Sequence, residues 1–442
     1  MSDETDFPAD WMRAAIKEIV DPSRAITYGI VQPGRRFDSE HGIPMIRGQD
    51  YSSGTVRTEG LYHVDPRLAA SFSRASVRGG DLLMSIVGYV GTTAEVPNNL
   101  DGANLTQTTA RIALRPDLKS RYFLHFLRSA FFRREVARFT KGSAQPGLNL
   151  ADVEIMRVAY PRDLLERAAI AEVLDTLDAT IRQTEAIIEK LKLVKQGLLH
   201  DLLTRGIDAN GELRPPQSQA PHLYKDSPLG WIPVDWRVGT VNSEVDVIDP
   251  NPSHRYPVEQ QEGVPICSTE NFDGEDGFDL AQAKQMPQSV YIAQRRRCDF
   301  LPDDVVFARK GRIGLARRYG DEAKVFSHTV VMLKSRSAAI DQKWILWLAR
   351  SSVFLGGIRQ RMNSNSGVPT LGVELIGSIV VPIPPANEQS QASEVMDQLS
   401  ARVHAETKNF RALNQLKLGL MDDLLTGRVR VTPLLEANSA PA

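Results

Sequence analysis

Few residues in this chain have the types and spacing that reaction chemistry needs. Glu406-Thr407-Lys408 matches the Glu-x-Lys fragment of many nucleases. It has no preceding acidic strand residue with which to share a metal ion, so the fragment reads as part of a helix surface. Gly88-Tyr-Val-Gly91 and Gly311-Arg-Ile-Gly314 are too short for a dinucleotide fingerprint and read as tight turns between strands. There is no Asp/Asn-Pro-Pro-aromatic tetrapeptide for base methylation and no glycine-rich loop followed by Lys-Ser/Thr to cradle phosphates. The eight histidines never form a His-x-x-His or His-Glu-x-x-His spacing. The two cysteines, Cys267 and Cys298, exclude a disulfide framework and a cysteine-based zinc site, and suit a reducing cytoplasm. The expectation is therefore no catalytic residue, no metal and no cofactor on this chain, which leaves binding as its role.

The side chains suited to binding are basic and polar. Arg133, Arg134, Arg138 and Lys141 cluster in the first half; Arg295 to Arg297, Arg309, Lys310, Arg312, Arg317 and Arg318 cluster in the second. Arginine predominance fits phosphate and guanine contact, whereas a formal net charge of -1 opposes a global nucleic-acid footprint. Each cluster alone also reads as ordinary solvated surface. Base edges need Arg, Lys, Asn, Gln, Ser or Thr at the groove. The candidate DNA contacts are Arg35, Arg36, Arg47, Gln49, Tyr89, Asn104, Gln107 and Thr108 in the first half. In the second they are Glu270, Asn271, Arg309, Lys310, Arg312, Arg318 and His328, with Asn363 to Ser366 near the base of the domain. Some would touch phosphate only, and for each a surface or turn-capping role is the plain alternative.

The elements that position these residues occur twice. Pro8-Ala-Asp-Trp11 returns as Pro233-Val-Asp-Trp236, a shift of 225. Gly42-Ile-Pro-Met returns as Gly263-Val-Pro-Ile, and Asp81-Leu-Leu-Met-Ser-Ile-Val-Gly as Asp304-Val-Val-Phe-Ala-Arg-Lys-Gly, shifts of 221 and 223. Thr106-Gln107-Thr108 answers to Ser327-His328-Thr329, and Leu150 to Pro161 answers to Leu371 to Pro382. A near-constant shift over most of the chain means two copies of one unit. Each copy opens with a sheet-rich α/β part of about 150 residues, alternating apolar runs punctuated by Gly, Pro and Asn. Helices near Ser120 to Arg138 and Asp341 to Arg361 would pack on these sheets.

Each copy closes with a long helix. Ile170, Leu174, Leu177, Ile181, Ile188, Leu191, Leu198 and Leu202 follow heptad steps, interrupted by Thr184 and Lys195. Adding 222 gives Ala392, Met396, Leu399, Val403, Phe410, Leu413, Leu420 and Leu424, with Glu406 and Lys417 at the interruptions. At about 1.5 Å per residue these rods reach roughly 60 Å. An exposed seam would aggregate, so the rods should pair, antiparallel if the copies are related by a pseudo-twofold axis. The alternative is tandem domains whose helices are only lids on their own sheets. Arg205 to Leu229, rich in Gly, Asn and Pro, reads as a linker.

The fold class is thus α/β (α+β): two repeated domains and a coiled coil of two long antiparallel helices, pseudo-twofold symmetric. The expected boundaries are 1–161 for the first domain, 162–205 for the first helix and 206–229 for the linker. The second domain covers 230–385, the second helix 386–428 and a tail 429–442. The acidic Met1 to Asp10 has no apolar segment and is no signal peptide, and Ile376 to Ile383, broken by Ser378 and Pro382, cannot span a bilayer.

The order head, helix, linker, head, helix resembles the specificity (S) subunits of Type I restriction-modification enzymes. The resemblance rests on Leu202-Leu-Thr204 and Leu424-Leu-Thr-Gly427 closing the helices, on Lys225-Asp-Ser-Pro-Leu-Gly-Trp-Ile-Pro233, on Asp304-Val-Val-Phe-Ala-Arg309, and on Pro382-Ile-Pro-Pro385 with Glu388-Gln389. The first copy departs from it at Pro161-Arg-Asp and at Glu166-Arg167 in place of Glu-Gln. The resemblance implies that each head is a target-recognition domain for one block of a bipartite double-stranded DNA sequence. It further implies that the helices dock two methyltransferase (M) subunits and that restriction (R) subunits join, in the cytoplasm, with no membrane. S-adenosylmethionine, ATP and Mg2+ would then be bound by those partners. The rival readings are a coiled-coil scaffold without a nucleic-acid role, which the net charge favours, and an unrecognised standalone nuclease or methylase using Glu406 and Lys408.

Overall fold

A computed structural model of the chain describes residues 7–52, 54–142, 146–253, 255, 258–362, 370–433 and 435. The chain forms two compact units, Met1–Glu185 with Lys408–Ala442, and Ala186–Thr407. Each takes in one head and parts of both long helices.

In the first unit, Trp11–Ala15 pairs antiparallel with Arg157–Pro161, so the head's first and last strands lie side by side. A six-stranded sheet has the order Thr27–Tyr28, Thr109–Ile112, Leu82–Ser85, Thr93–Glu95, Gly54–Val56, Tyr51–Ser52. A three-stranded sheet sets Ile43–Ile46 between Tyr62–Val64 and Asn104–Leu105. Leu82–Ser85 is buried at all four positions, and its three apolar residues run without alternation because both faces of the strand are covered. Leu82 and Met84 join a core with Tyr122, Phe123 and Phe126, while Leu83 points to a second core with Val96 and Leu105, the two-residue period of a strand. Burial of each such side chain contributes about 1.5–3 kcal/mol.

The second head repeats these pairings. Val330 faces Ala308 as Thr109 faces Ser85. Ile266 runs parallel to Val325 as Met45 does to Asn104. Arg237–Thr240 pairs with Val380–Ile383. The helices Ala130–Phe139 and Ser352–Arg361, matched in the two heads, start at the same kind of cap: Ser129 Oγ accepts from Phe132 N at 3.1 Å, and Ser351 Oγ from Phe354 N at 3.1 Å.

The long helices are Leu164–Thr204 and Ala386–Thr426, each of 41 residues. In the first unit Ile170, Ala171 and Leu174 share a core with Met421, Leu424 and Leu425. In the second, Leu202 and Leu203 share one with Ala392 and Met396. The start of each helix therefore meets the end of the other, and the pair is antiparallel. Along the expected seam Ile170, Leu174, Leu177, Ile188, Leu202, Ala392, Met396, Val403 and Leu424 are buried. Ile181, Leu191, Leu198, Leu399, Phe410, Leu413 and Leu420 are half-buried. The lid alternative fails, because the helices share these cores.

The polar interruptions also have partners. Lys195 Nζ donates to Ser400 Oγ at 2.9 Å, pairs with Glu275 and stands 5.0 Å from the Trp347 ring. Its counterpart Lys417 pairs with Asp178, which Arg128 also reaches at 3.2 Å. Burial alone would raise the Asp178 carboxyl, but these two cations outweigh it and hold the group below its ordinary range.

A buried glutamate secures the start of each helix. Glu388 accepts from Arg214 Nη1 at 2.6 Å, Trp236 Nε1 at 3.0 Å and Ile207 N at 2.8 Å. Glu166 accepts from Arg430 at 2.6 and 2.8 Å, and Arg430 also reaches Asp10.

Candidate nucleic-acid interface

In each head two short turns lie side by side. The first is a single 3-10 turn, Gly48–Asp50 in one head and Thr269–Asn271 in the other. The second is the tripeptide that links a strand of one sheet to a strand of another, Thr106–Thr108 or Ser327–Thr329. Both tripeptides are closed by the same hydroxyl pair: Thr106 Oγ1 to Thr108 Oγ1 at 2.8 Å, and Ser327 Oγ to Thr329 Oγ1 at 2.6 Å. The middle residue, Gln107 or His328, forms the apex. Gln107 is exposed and His328 half-buried. In the second head Thr269 N donates to Thr329 Oγ1 at 3.2 Å, and Thr269 Oγ1 donates to the Lys310 carbonyl at 3.2 Å. In the first, Gly48 lies where a Cβ would come within 3.4 Å of Ser85 Oγ and 3.7 Å of Thr108 Oγ1.

Around the second pair of turns is a cleft of about 680 Å³ whose walls include Glu270, Asn271, Lys284, Lys310 and His328. Four of the expected contacts, Glu270, Asn271, Lys310 and His328, thus converge. Lys284, which pairs with Glu259 at 3.3 Å, joins them without any sequence cue. Arg312 is exposed but lies apart, on the glycine turn, where its Nη1 donates to the Phe272 carbonyl at 2.8 Å. It helps line a separate groove of about 620 Å³ with Leu355 and Arg359.

In the first head Arg47, Gln49, Gln107 and Thr108 come together. The Arg47 guanidinium grips Asp50 at 2.8 and 3.0 Å and lies 5.6 Å from the Tyr62 ring centre. Arg57, absent from the expected set, also reaches Asp50 at 2.6 Å. Burial would raise the Asp50 carboxyl, but hydrogen bonds from Arg47 and the charge of Arg57 keep it below its ordinary range. Asp50 therefore orients two arginines at the edge of the turn. Arg35 and Arg36 are exposed nearby; Arg36 donates to the Leu61 carbonyl at 2.9 Å, and Tyr62 Oη donates to the Gly34 carbonyl at 2.8 Å. Tyr89 stands 75% exposed on the glycine turn, the position of Arg312 in the other head. It borders a groove of about 900 Å³ with Arg128 and Arg133. All four glycines of these two turns, Gly88, Gly91, Gly311 and Gly314, have positive φ, as expected for tight turns between strands.

Three expected contacts need correction, because tertiary partners occupy their polar groups. Asn104 is 1% exposed, and its amide donates to the Ala69 and Phe72 carbonyls at 3.2 and 3.4 Å. Arg309 is buried; it pairs with Asp249 at 2.6 Å and donates to the His328 carbonyl at 2.9 Å, so it shapes the tripeptide from behind. Arg318 pairs with Asp303 at 3.1 Å and with Asp397 of the second long helix at 2.8 Å, which makes it an anchor between head and rod. The Asn363 to Ser366 stretch lies outside the described residues.

Among the described residues no group of three or more His, Cys, Asp or Glu is arranged to hold a metal ion. Burial pushes the Cys267 and Cys298 thiols up to about 12, which keeps them protonated and unreactive. Glu406 and Lys408 lie on the second long helix. The two turns display polar side chains on a fixed scaffold, groups able to hydrogen-bond the edge of a base.

Residues 8–193 match the family described as "Type I restriction modification DNA specificity domain". The EcoBI specificity subunit of Escherichia coli is 30% identical over 156 residues, 35% of this chain and 32% of that protein, so this match spans about a third of its length. The putative MjaX specificity subunit of Methanocaldococcus jannaschii is 21% identical over 444 residues, covering 96% of this chain and 95% of the relative. A crystal structure of a Type I S subunit from M. genitalium superposes with a TM-score of 0.58 at 15% identity, covering 96% of this chain and 98% of that one. A chain from a study of Type I restriction-modification complex assembly and conformational transition gives 0.54 at 16% identity, covering 96% and 100%. At these identities the two structures speak for the fold alone.

Proposed function

We propose that this chain, whose residues 8–193 match the Type I restriction modification DNA specificity domain, is a member of that family along its whole length and reads a bipartite double-stranded DNA target, one block per head. The observation that carries this reading is the repeated pair of turns. One scaffold presents Arg47, Gln49 and Gln107 in the first copy and Asn271, Lys310 and His328 in the second. The same backbone with different side chains suits two blocks of different sequence. Tyr89 and Arg133 in one head, and Arg312 and Arg359 in the other, line grooves suited to the phosphate backbone.

Relatives of the chain are named specificity subunits of restriction enzymes, and the chain acts in the same way, as a non-catalytic component. The helices dock two methyltransferase subunits. Supporting this, each unit exposes apolar side chains on both helices outside the shared seam: Val173 and Leu416 in the first, Val194 and Val395 in the second. These are matched positions at the shift of 222. Restriction subunits complete the assembly, and S-adenosylmethionine, ATP and Mg2+ reside on the partners. No helix among the described residues is long and apolar enough to cross a membrane; the cytoplasm is the proposed compartment. The net charge of -1 favours one other reading, a coiled-coil scaffold that never touches DNA.

The test is genome-wide methylation mapping in cells with and without the chain, then with head two exchanged for that of another family member. A two-block motif should vanish without the chain, and the exchange should alter one block only. Loss of no motif, or alteration of both blocks together, would defeat the proposal.

A further inference from the structure

The two copies differ in kind where a head meets the start of its long helix. In the second copy this corner is closed. Asp341 caps the helix Gln342–Arg350, accepting from Lys343 N at 2.7 Å and Trp344 N at 3.3 Å. Gln389, fully buried, accepts from Asp341 N at 2.8 Å and donates to the Ala339 and Pro384 carbonyls at 2.9 and 2.7 Å. A carboxylate and a neutral amide thus satisfy the corner internally.

At the shift of 222 the first copy has Lys119 and Arg167 instead. Both replacements add positive charge. The eight-residue helix Ser120–Leu127 starts at Lys119 with no side-chain cap, so its first N–H groups lack the carboxylate that Asp341 supplies in the other copy. Arg167 is only 9% exposed, and its buried Nε and Nη1 have no hydrogen-bond partner. Its guanidinium lies 5.5 Å from the centre of the Tyr160 ring. The neighbouring acids are engaged elsewhere: Glu166 with Arg430 at 2.6 Å, and Asp175 with Arg121 and with His125 at 2.8 Å. A buried arginine without an anion is costly, and a helix start is a favourable place for negative charge.

Beside these groups is a cavity of about 260 Å³. Lys119, Arg121 and Arg167 line it together with Tyr122, Leu164 and Ala171, while Asp175, already paired, and the exposed Glu172 also border it. We infer that this cavity is a carboxylate site, in which an external acid takes the place that Asp341 fills in the second copy. The carboxylate would lie between Arg167, Lys119 and the uncapped helix start, with a short apolar stem against Leu164 and Ala171. The mainly apolar walls and small volume favour a monocarboxylate over a phosphate dianion. The acid arrives either as a small free molecule or as an acidic side chain of a docked polypeptide.

The experiment uses the full chain and two probes at constant ionic strength, butyrate and a blocked dipeptide with one glutamate, with chloride as reference. Calorimetric binding and a melting temperature that rises with probe concentration, beyond the chloride response, are expected. Tighter binding of the dipeptide identifies a polypeptide source; tighter binding of butyrate identifies a free one. Arg167→Gln should weaken binding at least tenfold. The double substitution Lys119→Asp with Arg167→Gln rebuilds the second copy's arrangement; it should melt higher than the parent without ligand and ignore both probes. The inference is overturned by a parent chain that responds to neither probe beyond chloride, or by an undiminished response in Arg167→Gln. Because the double substitution is expected to stabilise, its lost response cannot be ascribed to unfolding. DNA reading plays no part in this test, so the two proposals fail separately.

Discussion

Replacing the glutamate that secures the start of each long helix should cost far more in one unit than in the other. Glu388 is 5% exposed and accepts from Ile207 N, Trp236 Nε1 and both Arg214 Nη atoms. In Glu388→Ala the buried N–H groups of Ile207 and Trp236 lose their acceptor, each at about 1–3 kcal/mol. Arg214, its side chain 11% exposed, keeps Asp235 at 2.9 Å but loses its buried partner. The total is about 3–5 kcal/mol, the range for breaking a buried pair from one side. Glu166→Ala removes two bonds from Arg430, which is 30% exposed and retains Asp10. The indole Nε1–H of Trp11, counterpart of that of Trp236, has no partner to begin with, so it adds nothing to this loss. Water replaces most of what Arg430 loses, and the cost falls to about 1–2 kcal/mol. Urea unfolding of the intact chain gives the overall loss, and hydrogen exchange at the Ile207 amide gives the local one. Protection there should fall by about two to four orders of magnitude in Glu388→Ala and stay near the parent value in Glu166→Ala. Equal losses for the two substitutions, or an unchanged Ile207 amide, would refute the account.

Gly206 has φ +64°, and a Cβ there would lie 1.9 Å from Glu388 Oε1 and 2.5 Å from Trp236. Gly206→Ala should therefore cost well over the ~1–2 kcal/mol of left-handed strain alone, whereas Gly211→Ala, with φ +82° and nothing within 4 Å, should cost only that strain; urea midpoints compare them. Asp50, Asp175 and Asp178 are held below the ordinary carboxylate range by their cationic partners despite burial. Their stabilisation is complete above the unfolded value of about 3.9 and is lost as pH falls through the lower folded values. The first unit's melting temperature should drop steeply in acid below about pH 4, and Asp175→Asn should flatten that drop in a calorimetric series; an unchanged slope would contradict the pairing. Lys310→Ala should weaken binding at the second block alone by about 1–3 kcal/mol if it makes a bidentate base contact, with no change in melting temperature. Arg309→Ala should instead lower stability as well, since Arg309 is buried against Asp249; DNA affinity and melting curves measured together separate the two.

The sequence by itself determined the duplication and the rods. Heptad spacing is a local property, so Ile170, Leu174 and Met396 could be assigned to one face of a helix before any partner was known, and the need to cover two such faces implied their pairing. The tight turns at Gly88–Gly91 and Gly311–Gly314 were legible for the same reason, since glycine spacing is set within a few residues. Which polar side chains remain free was decided only by tertiary structure. Arg309 meets Asp249 across 60 residues, Arg318 meets Asp397 across 79, and the Asn104 amide meets the Ala69 carbonyl across 35. Residue type marks a side chain as able to contact a base edge, but folding brings up the acceptor that occupies it, and no pattern near these residues encodes that acceptor. The change from Gln389 to Arg167 was visible as a departure between copies; that it leaves a buried charge beside an uncapped helix depended on elements far apart in the chain meeting at one corner.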